Sequence, residues 1–347
     1  MRRIAFFYNA GSDNPYMTLL CRALRQEGYD VSCVESCSPG WLWKNRNTID
    51  ILHFQWVQYF YVGGTACSST VWALIFLMKL ILARVTGYRI VWTVHNIMPH
   101  EKSPGISDFI AHKGLVLLAD EIVVHCQAAA GLLQEAFGKR RNIHVIPHGH
   151  YAGWYPGCPS RSEARAHFGI PESEYVYLCF GAIRPYKGLE RLIPSFRRTL
   201  SGRLIIAGKP LNPQMEASIR QLCENDPRIS LHLSFISDPL VTLFFECADT
   251  VVLPFSDVLT SGSAILALSL GKPVIAPALG CLGELISDRF GLLFDPESPQ
   301  GLESAMIDIR HRQYPSEEIK KHMRVCYDWL DIAKRYRALY DPAGINH

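Results

Sequence analysis

A chain of 347 residues, 48% apolar and 19% charged, carries material for about two domains, because a single core seldom grows past ~250–300 residues. With no low-complexity tract and no block of like charge, disorder, collagen and coiled coil are excluded. The formal net charge of +3 is too small to argue nucleic-acid binding, and no nucleic-acid partner is expected. It divides unevenly, with 14 Lys/Arg against 10 Asp/Glu up to His150 and 21 against 22 beyond, a mildly basic first half suited to anionic lipid or a phosphorylated acceptor.

The chain passes from Met1-Arg2-Arg3 into an apolar, strand-like run at 4–8 with no small-residue cleavage site after it, so no signal peptide is expected. Further strands are predicted at 51–53, 89–95, 121–125 and 144–147, with helical spacing at 19–27, 71–84, 107–118 and 128–137 between them. The stretch 71–83 is apolar apart from Lys79 and is closed by Arg84. Its ~13 residues fall short of the ~20 that span a bilayer. It is expected either to pack as a buried helix on a sheet or to lie on the cytoplasmic membrane face, flanked by Lys79, Arg84 and Arg89. From 148 to 173 glycines and prolines loosen the pattern, and a domain junction is placed there.

A second series follows, with strands predicted at 175–181, 203–207, 229–233, 250–254 and 273–276. In the tail, Trp329, Ile332, Tyr336 and Leu339 recur at helical spacing and predict an amphipathic helix. Such β-α-β alternation implies two parallel sheets with helices on both faces, and ligands in these sheets bind at the carboxyl ends of the strands. The 11 cysteines are odd in number, scattered and without a Cys-x-x-Cys pair. Reduced thiols are expected, with Cys33 and Cys37 as packing residues and no zinc site.

The chemistry is therefore sought at strand ends. The first strand ends in Asn9-Ala10-Gly11-Ser12-Asp13-Asn14-Pro15-Tyr16, where a dinucleotide fold would carry Gly-x-Gly-x-x-Gly; its absence disfavours hydride transfer. Asn14 and the loop's N–H groups remain available to a polar ligand. Strand ends also deliver His53 with Trp56, and His95-Asn96 followed by His100 and Glu101. Such groups hydrogen-bond sugar hydroxyls, and a His or Glu can take a proton from an attacking hydroxyl. In the second half, Phe180-Gly181-Ala182-Ile183-Arg184-Pro185-Tyr186-Lys187-Gly188 places two cations three residues apart in a strand-to-helix loop, which suits a diphosphate. Thr260-Ser261-Gly262-Ser263 opens a helix and offers backbone N–H donors to the same anion. No Asp-x-Asp motif and no His/Cys/carboxylate set at metal spacing accompanies them, so no metal and no cofactor is expected.

These residues, taken in order, resemble the GT-B glycosyltransferases, in particular the bacterial exopolysaccharide enzymes of the xanthan-type GDP-mannose:glycolipid β-1,4-mannosyltransferase group, and more distantly the retaining group-1 enzymes. The resemblance is carried by Asn14-Pro15-Tyr16, Leu52-His53 with Trp56, His95-Asn96 with Pro99-His100-Glu101, and His148-Gly149-His150-Tyr151. It continues in Phe180-Gly181 with 183–188, 251–254, Ser261-Gly262 with 266–270, and Pro273-Val274. It implies an α/β protein of two Rossmann-like domains facing across a cleft: an acceptor-binding domain over 1–155, a nucleotide-sugar-binding domain over 156–325, and a final segment, 326–347, returning to the first.

The resemblance further implies that Arg184 and Lys187 hold the donor diphosphate, that Thr260, Ser261, Gly262, Ser263 and Gly181 add contacts, and that His95 faces the transferred sugar. Asn14, Tyr16, His53, Asn96 and His148 are the remaining expected substrate contacts. Retaining relatives carry two Glu residues eight apart, where this chain has Val258 and Leu266. That departure leaves the stereochemical outcome open, and if the reaction inverts, His95, Glu101, His53 and Asp13 are the candidate bases. The expected activity is transfer of a hexose, such as mannose from GDP-mannose, to a lipid-linked saccharide by a cytoplasmic, peripherally membrane-bound enzyme. The alternatives are a UDP-sugar donor or a non-catalytic nucleotide-sugar-binding protein.

Overall fold

The computed structural model describes residues 2–8, 15–98, 105–138, 141–157, 159–199 and 201–341. In chain order its elements begin β1 (Arg3–Phe7), α1 (Pro15–Gln26), β2 (Asp30–Val34), α2 (Pro39–Asn45), β3 (Ile51–Phe54), α3 (Ala66–Val85), β4 (Arg89–Thr93), α4 (Ile106–Leu118), β5 (Glu121–Val124), α5 (Gln127–Phe137) and β6 (Ile143–Val145). They continue with α6 (Arg161–His167), β7 (Val176–Phe180), α7 (Leu189–Arg198), β8 (Arg203–Ala207), α8 (Pro213–Cys223), β9 (Ile229–His232), α9 (Asp238–Cys247) and β10 (Thr250–Val252). The last are α10 (Gly262–Ser269), β11 (Val274–Pro277), α11 (Leu282–Leu285), β12 (Gly291–Phe294), α12 (Gly301–Asp308), α13 (Ser316–Cys326) and α14 (Trp329–Tyr340). Two compact units result, Met1–Gly149 with Asp328–His347, and His150–Tyr327; the reading from sequence divides the chain after 155 and after 325.

The first unit is built on a parallel sheet in the order β2-β1-β3-β4-β5-β6. Its inner strands are mostly apolar because both faces are covered by helices: Ile4, Phe6, Ile51, Ile90, Val91, Ile122 and Val123 are all fully buried, with His53 and Thr93 the buried polar exceptions. From β1 the chain turns to β2 on one side and then to β3 on the other, so the order reverses between β1 and β3. On one face α14 packs against α1, burying Trp329, Ile332, Tyr336 and Tyr340 among Tyr16, Met17, Leu20 and Leu24. A buried aliphatic or aromatic side chain contributes about 1.5–3 kcal/mol, so the returning helix is a principal part of this core.

The apolar stretch read as ~13 residues is longer in the structure. α3 runs for 20 residues with a mean hydropathy of 1.9 over its most apolar part, because Thr65 caps it in a reciprocal arrangement with Ser68 and the small residues 66–70 continue the helix toward the cap. Length therefore does not separate it from a membrane span. Packing characterises it instead: Ser69, Ala73, Phe76, Leu80 and Ala83 form one buried face, with α4, α2 and β4 as neighbours, while Trp72, Leu74 and Met78 on the other side are exposed. Two of the flanking cations are paired, Arg84 with Asp120 and Arg89 with Glu121, each at 2.6 Å.

The second unit has a parallel sheet in the order β12-β11-β10-β7-β8-β9, and here the order reverses between β7 and β10. Its core joins Tyr177, Leu204, Ile206, Val252 and Ile275 from the sheet to Leu192, Ile193, Phe196, Leu302 and Met306 from α7 and α12. Val258 and Leu266, set against the paired glutamates in the reading from sequence, are buried apolar residues.

Candidate active site

In open α/β sheets ligands bind beyond the carboxyl ends of the strands where the strand order reverses. In the second unit those strands are β7 and β10, and the loops leaving them carry the residues singled out for a diphosphate. Phe180 ends β7, and Gly181 follows at φ +113°, where a Cβ would lie 3.1 Å from Ser263 Oγ and 3.7 Å from Lys187 Nζ. Pro185–Lys187 then make one 3₁₀ turn closed by Gly188 at φ +69°. A side chain at Gly188 would strike the Pro254 carbonyl, so only glycine lets this loop lie against the end of β10.

The turn buries the Lys187 ammonium, which donates to Ser263 Oγ at 3.2 Å and lies 4.6 Å from the centre of the Phe255 ring. Burial, and secondarily the nearby Arg184, lowers this group from its ordinary 10.5 to about 8, against an opposing effect of Cys179. At neutral pH it is a buried cation whose hydrogen-bond partner is a neutral hydroxyl. Such a charge calls for an anion.

Ser261 caps α10, its Oγ accepting from the Ala264 N–H at 3.1 Å, so its hydroxyl is committed to the helix. Gly262 and Ser263 form the first turn, where backbone N–H groups and the helix dipole favour negative charge. Thr260 Oγ1 lies 3.6 Å from Cys281 Sγ. Arg184 bends back, donating to the Ile183 carbonyl at 2.9 Å. The structure thus gathers Gly181, Lys187 and Ser263 at one point, with Arg184 bordering it.

In the first unit the strand ends deliver a histidine-rich, largely dry cluster. His95, His125 and His148 follow β4, β5 and β6 and are each 7% exposed. The His95 and His125 rings lie 5.1 Å apart, those of His125 and His148 5.6 Å, and Tyr16 from α1 packs against all three. Trp56 adopts φ +35°, a backbone state that costs a bulky residue energy, and lays its indole flat on His95, centroids 3.9 Å apart and planes 10° apart. His125 Nδ1 donates to the Ile146 carbonyl at 2.9 Å, leaving Nε2 buried and unpartnered. Desolvation lowers all three imidazoles, His125 to about 4, His148 to about 3 and His95 well below its ordinary value, so each is neutral at pH 7.

Two expected substrate contacts are placed differently. His53 is fully buried, with Nδ1 2.6 Å from the Tyr340 hydroxyl and Nε2 2.7 Å from Thr93 Oγ1. It is neither a surface base nor a ligand contact but part of the support beneath the site, because it sits within β3 at the centre of the sheet. Tyr16, 1% exposed, is likewise a wall of the cluster. Asn96, half-buried, lines a small depression with Trp56, Gln58 and His112. Asn14, Asp13, His100 and Glu101 lie outside the described residues.

Residues not singled out from sequence are Gln55, Thr93, His125, Tyr336 and Tyr340. A signal existed for two of them, Gln55 and Thr93. His53 and Gln55 are two apart at the end of β3, Thr93 and His95 two apart at the end of β4, and alternate residues share one face of a sheet. Polar residues facing inward from neighbouring parallel strands must pair with one another.

Two Rossmann-like units, one with a buried ammonium and a helix N-terminus at its switch point, define a nucleotide-binding α/β protein. Residues 160–324 match the family described as Glycosyl transferases group 1. The chain is 30% identical over 310 residues to the GDP-mannose:glycolipid 4-beta-D-mannosyltransferase of Xanthomonas campestris pv. campestris, spanning 85% of this chain and 80% of that protein. Among solved structures it is similar to sucrose-phosphate synthase of Thermosynechococcus elongatus, with a TM-score of 0.76 and 18% identity over 99% of both chains. It is also similar to Anabaena HepE in complex with UDP, with a TM-score of 0.75 and 17% identity over 99% of this chain and 100% of the other. The chain belongs to the group 1 glycosyltransferases, with the GT-B fold, and is a transferase of sugars from nucleotide donors.

Proposed function

We propose that this glycosyltransferase moves mannose from GDP-mannose to a lipid-linked saccharide, the donor and acceptor class named for its Xanthomonas relative. In this reading the second unit holds the donor diphosphate through Lys187 and the N–H groups opening α10, with Arg184 adding charge and no metal taking part. The departing nucleoside diphosphate gains negative charge as the glycosidic bond breaks, and a fixed ammonium stabilises it without reorganisation. The first unit supplies the proton acceptor for the incoming hydroxyl, and His95 is assigned that role because it is neutral at pH 7 and keeps a lone pair.

The observation that carries the reading is the buried Lys187 ammonium beside Ser263, a cation held out of water that donates to a neutral hydroxyl. The test is calorimetric titration with GDP and with UDP. GDP binding that weakens about tenfold or more in Lys187→Met supports the reading, the magnitude usual for losing one hydrogen bond to a charged group. UDP binding in preference to GDP overturns the choice of donor. Equal binding by wild type and variant overturns the site.

A lipid-linked acceptor is reached from a membrane surface, and we assign the contact to the outer face of α3 and α4. Supporting it are the exposed Trp72, Leu74, Met78 and Val85 of α3 and Ile106, Phe109 and Leu117 of α4, an area of the kind that marks a membrane or partner site. Because Arg84 and Arg89 are already paired and Lys79 is half-buried, the attraction is chiefly apolar. Flotation of the protein with neutral phosphatidylcholine vesicles should therefore occur and be lost in Trp72→Glu/Met78→Glu. Binding only to anionic vesicles would overturn that assignment.

A further inference from the structure

Behind His95 runs a closed set of hydrogen bonds that ends on the last helix. His95 Nε2 lies 2.6 Å from Gln55 Oε1. The other end of that amide, Nε2, lies 3.1 Å from His53 Nε2 and 3.2 Å from Thr93 Oγ1. His53 Nδ1 meets the Tyr340 hydroxyl at 2.6 Å, and Tyr336 contacts Thr93 Oγ1 at 3.4 Å. His53, Gln55 and Thr93 are all 0% exposed, so no bulk water can substitute for a partner that turns away.

We propose that Gln55 is a positioning residue: its amide oxygen holds His95 as the Nε2–H tautomer and makes Nδ1 the lone-pair atom, while His53 and Thr93 hold the other end of that amide. The inference rests on the reading of His95 as the proton acceptor. A carbonyl oxygen can only accept, so His95 Nε2 must carry its hydrogen. An amide nitrogen can only donate, and two acceptors are in reach, His53 Nε2 and Thr93 Oγ1; where it donates to His53 Nε2, His53 Nδ1 carries the hydrogen and donates to Tyr340. Turning the amide over would put its oxygen against His53 Nε2 and its nitrogen against His95 Nε2. His95 would then have to exchange tautomers, placing its hydrogen on Nδ1. The Thr93 and Tyr340 hydroxyls can each donate or accept, so their part is to hold His53 and the far end of the amide in place behind His95.

Among the described residues, the groups facing His95 leave it to this one hydrogen-bond partner. They are His53 from β3, His125 and His148 from the ends of β5 and β6, Tyr16 from α1 and the stacked Trp56. The histidines are neutral at pH 7, and among the described residues no carboxylate shifts His95. A carboxylate placed at Gln55 would be new to this environment and would stabilise the imidazolium.

The experiment has two parts. In the wild-type protein with 15N-labelled histidine, long-range proton–nitrogen correlation spectra should show the His95 hydrogen on Nε2, the signals being assigned by their loss in His95→Gln. A hydrogen on Nδ1 overturns the inference whatever the variants do. In turnover assays Gln55→Leu should lower kcat by roughly tenfold or more with the donor KM within about twofold, the pattern of an interaction used in the transition state. Gln55→Glu should move the acid limb of the pH profile up by about one pH unit or more. A purely structural role would leave the acid limb where it is in both variants, and that result also overturns the proposal. Near-normal turnover by His95→Ala would instead remove the proton-acceptor reading, while the nitrogen assignment would still stand on the spectra.

Discussion

Replacing Lys187 by methionine should strengthen the folded protein while disabling it. The ammonium is 9% exposed, and burial holds it at about 8 rather than 10.5, which costs the fold about 3 kcal/mol while the group stays charged. Methionine fills the same volume without that cost. It gives up the hydrogen bond to Ser263 and the contact with the Phe255 ring, together about 1–2 kcal/mol. The net gain of about 1–2 kcal/mol corresponds to a rise of roughly 2–8 °C in the Tm of a unit this size.

The sign is specific. Because the folded value lies below the unfolded one, wild-type stability increases as pH climbs from about 8 to 10.5, and the advantage of Lys187→Met should fade over that interval. Bound GDP should reverse the order at pH 7, since a ligand selective for the folded state stabilises wild type in proportion to its affinity. Differential scanning calorimetry at pH 7 and pH 10, with and without GDP, measures all of this. A variant less stable than wild type at pH 7 that still gains as much from GDP would refute the reasoning.

Gly188→Ala should destabilise the second unit by about 2 kcal/mol or more, since φ is +69° and the added methyl group meets the Pro254 carbonyl, and chemical denaturation with GDP titration should show both lost stability and weaker binding. His53, His125 and His148, lowered by desolvation to about 3, 4 and 3, contribute stability that is complete above pH 6.5 and lost as pH falls toward 4, at about 1.4 kcal/mol per pH unit for each. Acid should therefore unfold the first unit before the second, and a tryptophan-fluorescence titration showing no loss between pH 7 and 5 would contradict this. Cys33, exposed and lowered to about 6 chiefly by its contact with the Cys21 thiol 4.0 Å away, should be alkylated at pH 6 roughly tenfold faster than the exposed Cys67 and Cys326, which mass spectrometry after iodoacetamide resolves.

The alternation of elements was legible because parallel strands buried on both faces read as unbroken apolar runs, as at 121–125 and 203–207. β2 escaped: Asp30-Val31-Ser32-Cys33-Val34 is an edge strand, half wet, and its alternating residues resemble a loop. β12, Gly291-Leu292-Leu293-Phe294, is too short to stand out beside its glycine. The Lys187 loop and Ser263 could be paired from sequence because both follow predicted strand ends and carry complementary chemistry. The support behind His95 could not. Tyr336 and Tyr340 recur at helical spacing and read as plain core, and nothing periodic reveals that their hydroxyls end a chain of bonds starting at Gln55. Length misjudged α3, because a small-residue start at 66–70 has no apolar signature while a cap at Thr65 does extend a helix.

The interrupted path of the first unit has a consequence for how the protein is made. Its sheet is synthesised first, yet α14, which closes that core and holds His53 through Tyr340, is translated last, after the whole of the second unit has emerged. The second unit is continuous in the chain and can fold as it leaves the ribosome, whereas the nascent first unit must wait with Tyr16, Leu20 and Leu24 uncovered. During translation the half that emerges earlier is thus the half that matures later, and chaperone engagement is expected to concentrate on it.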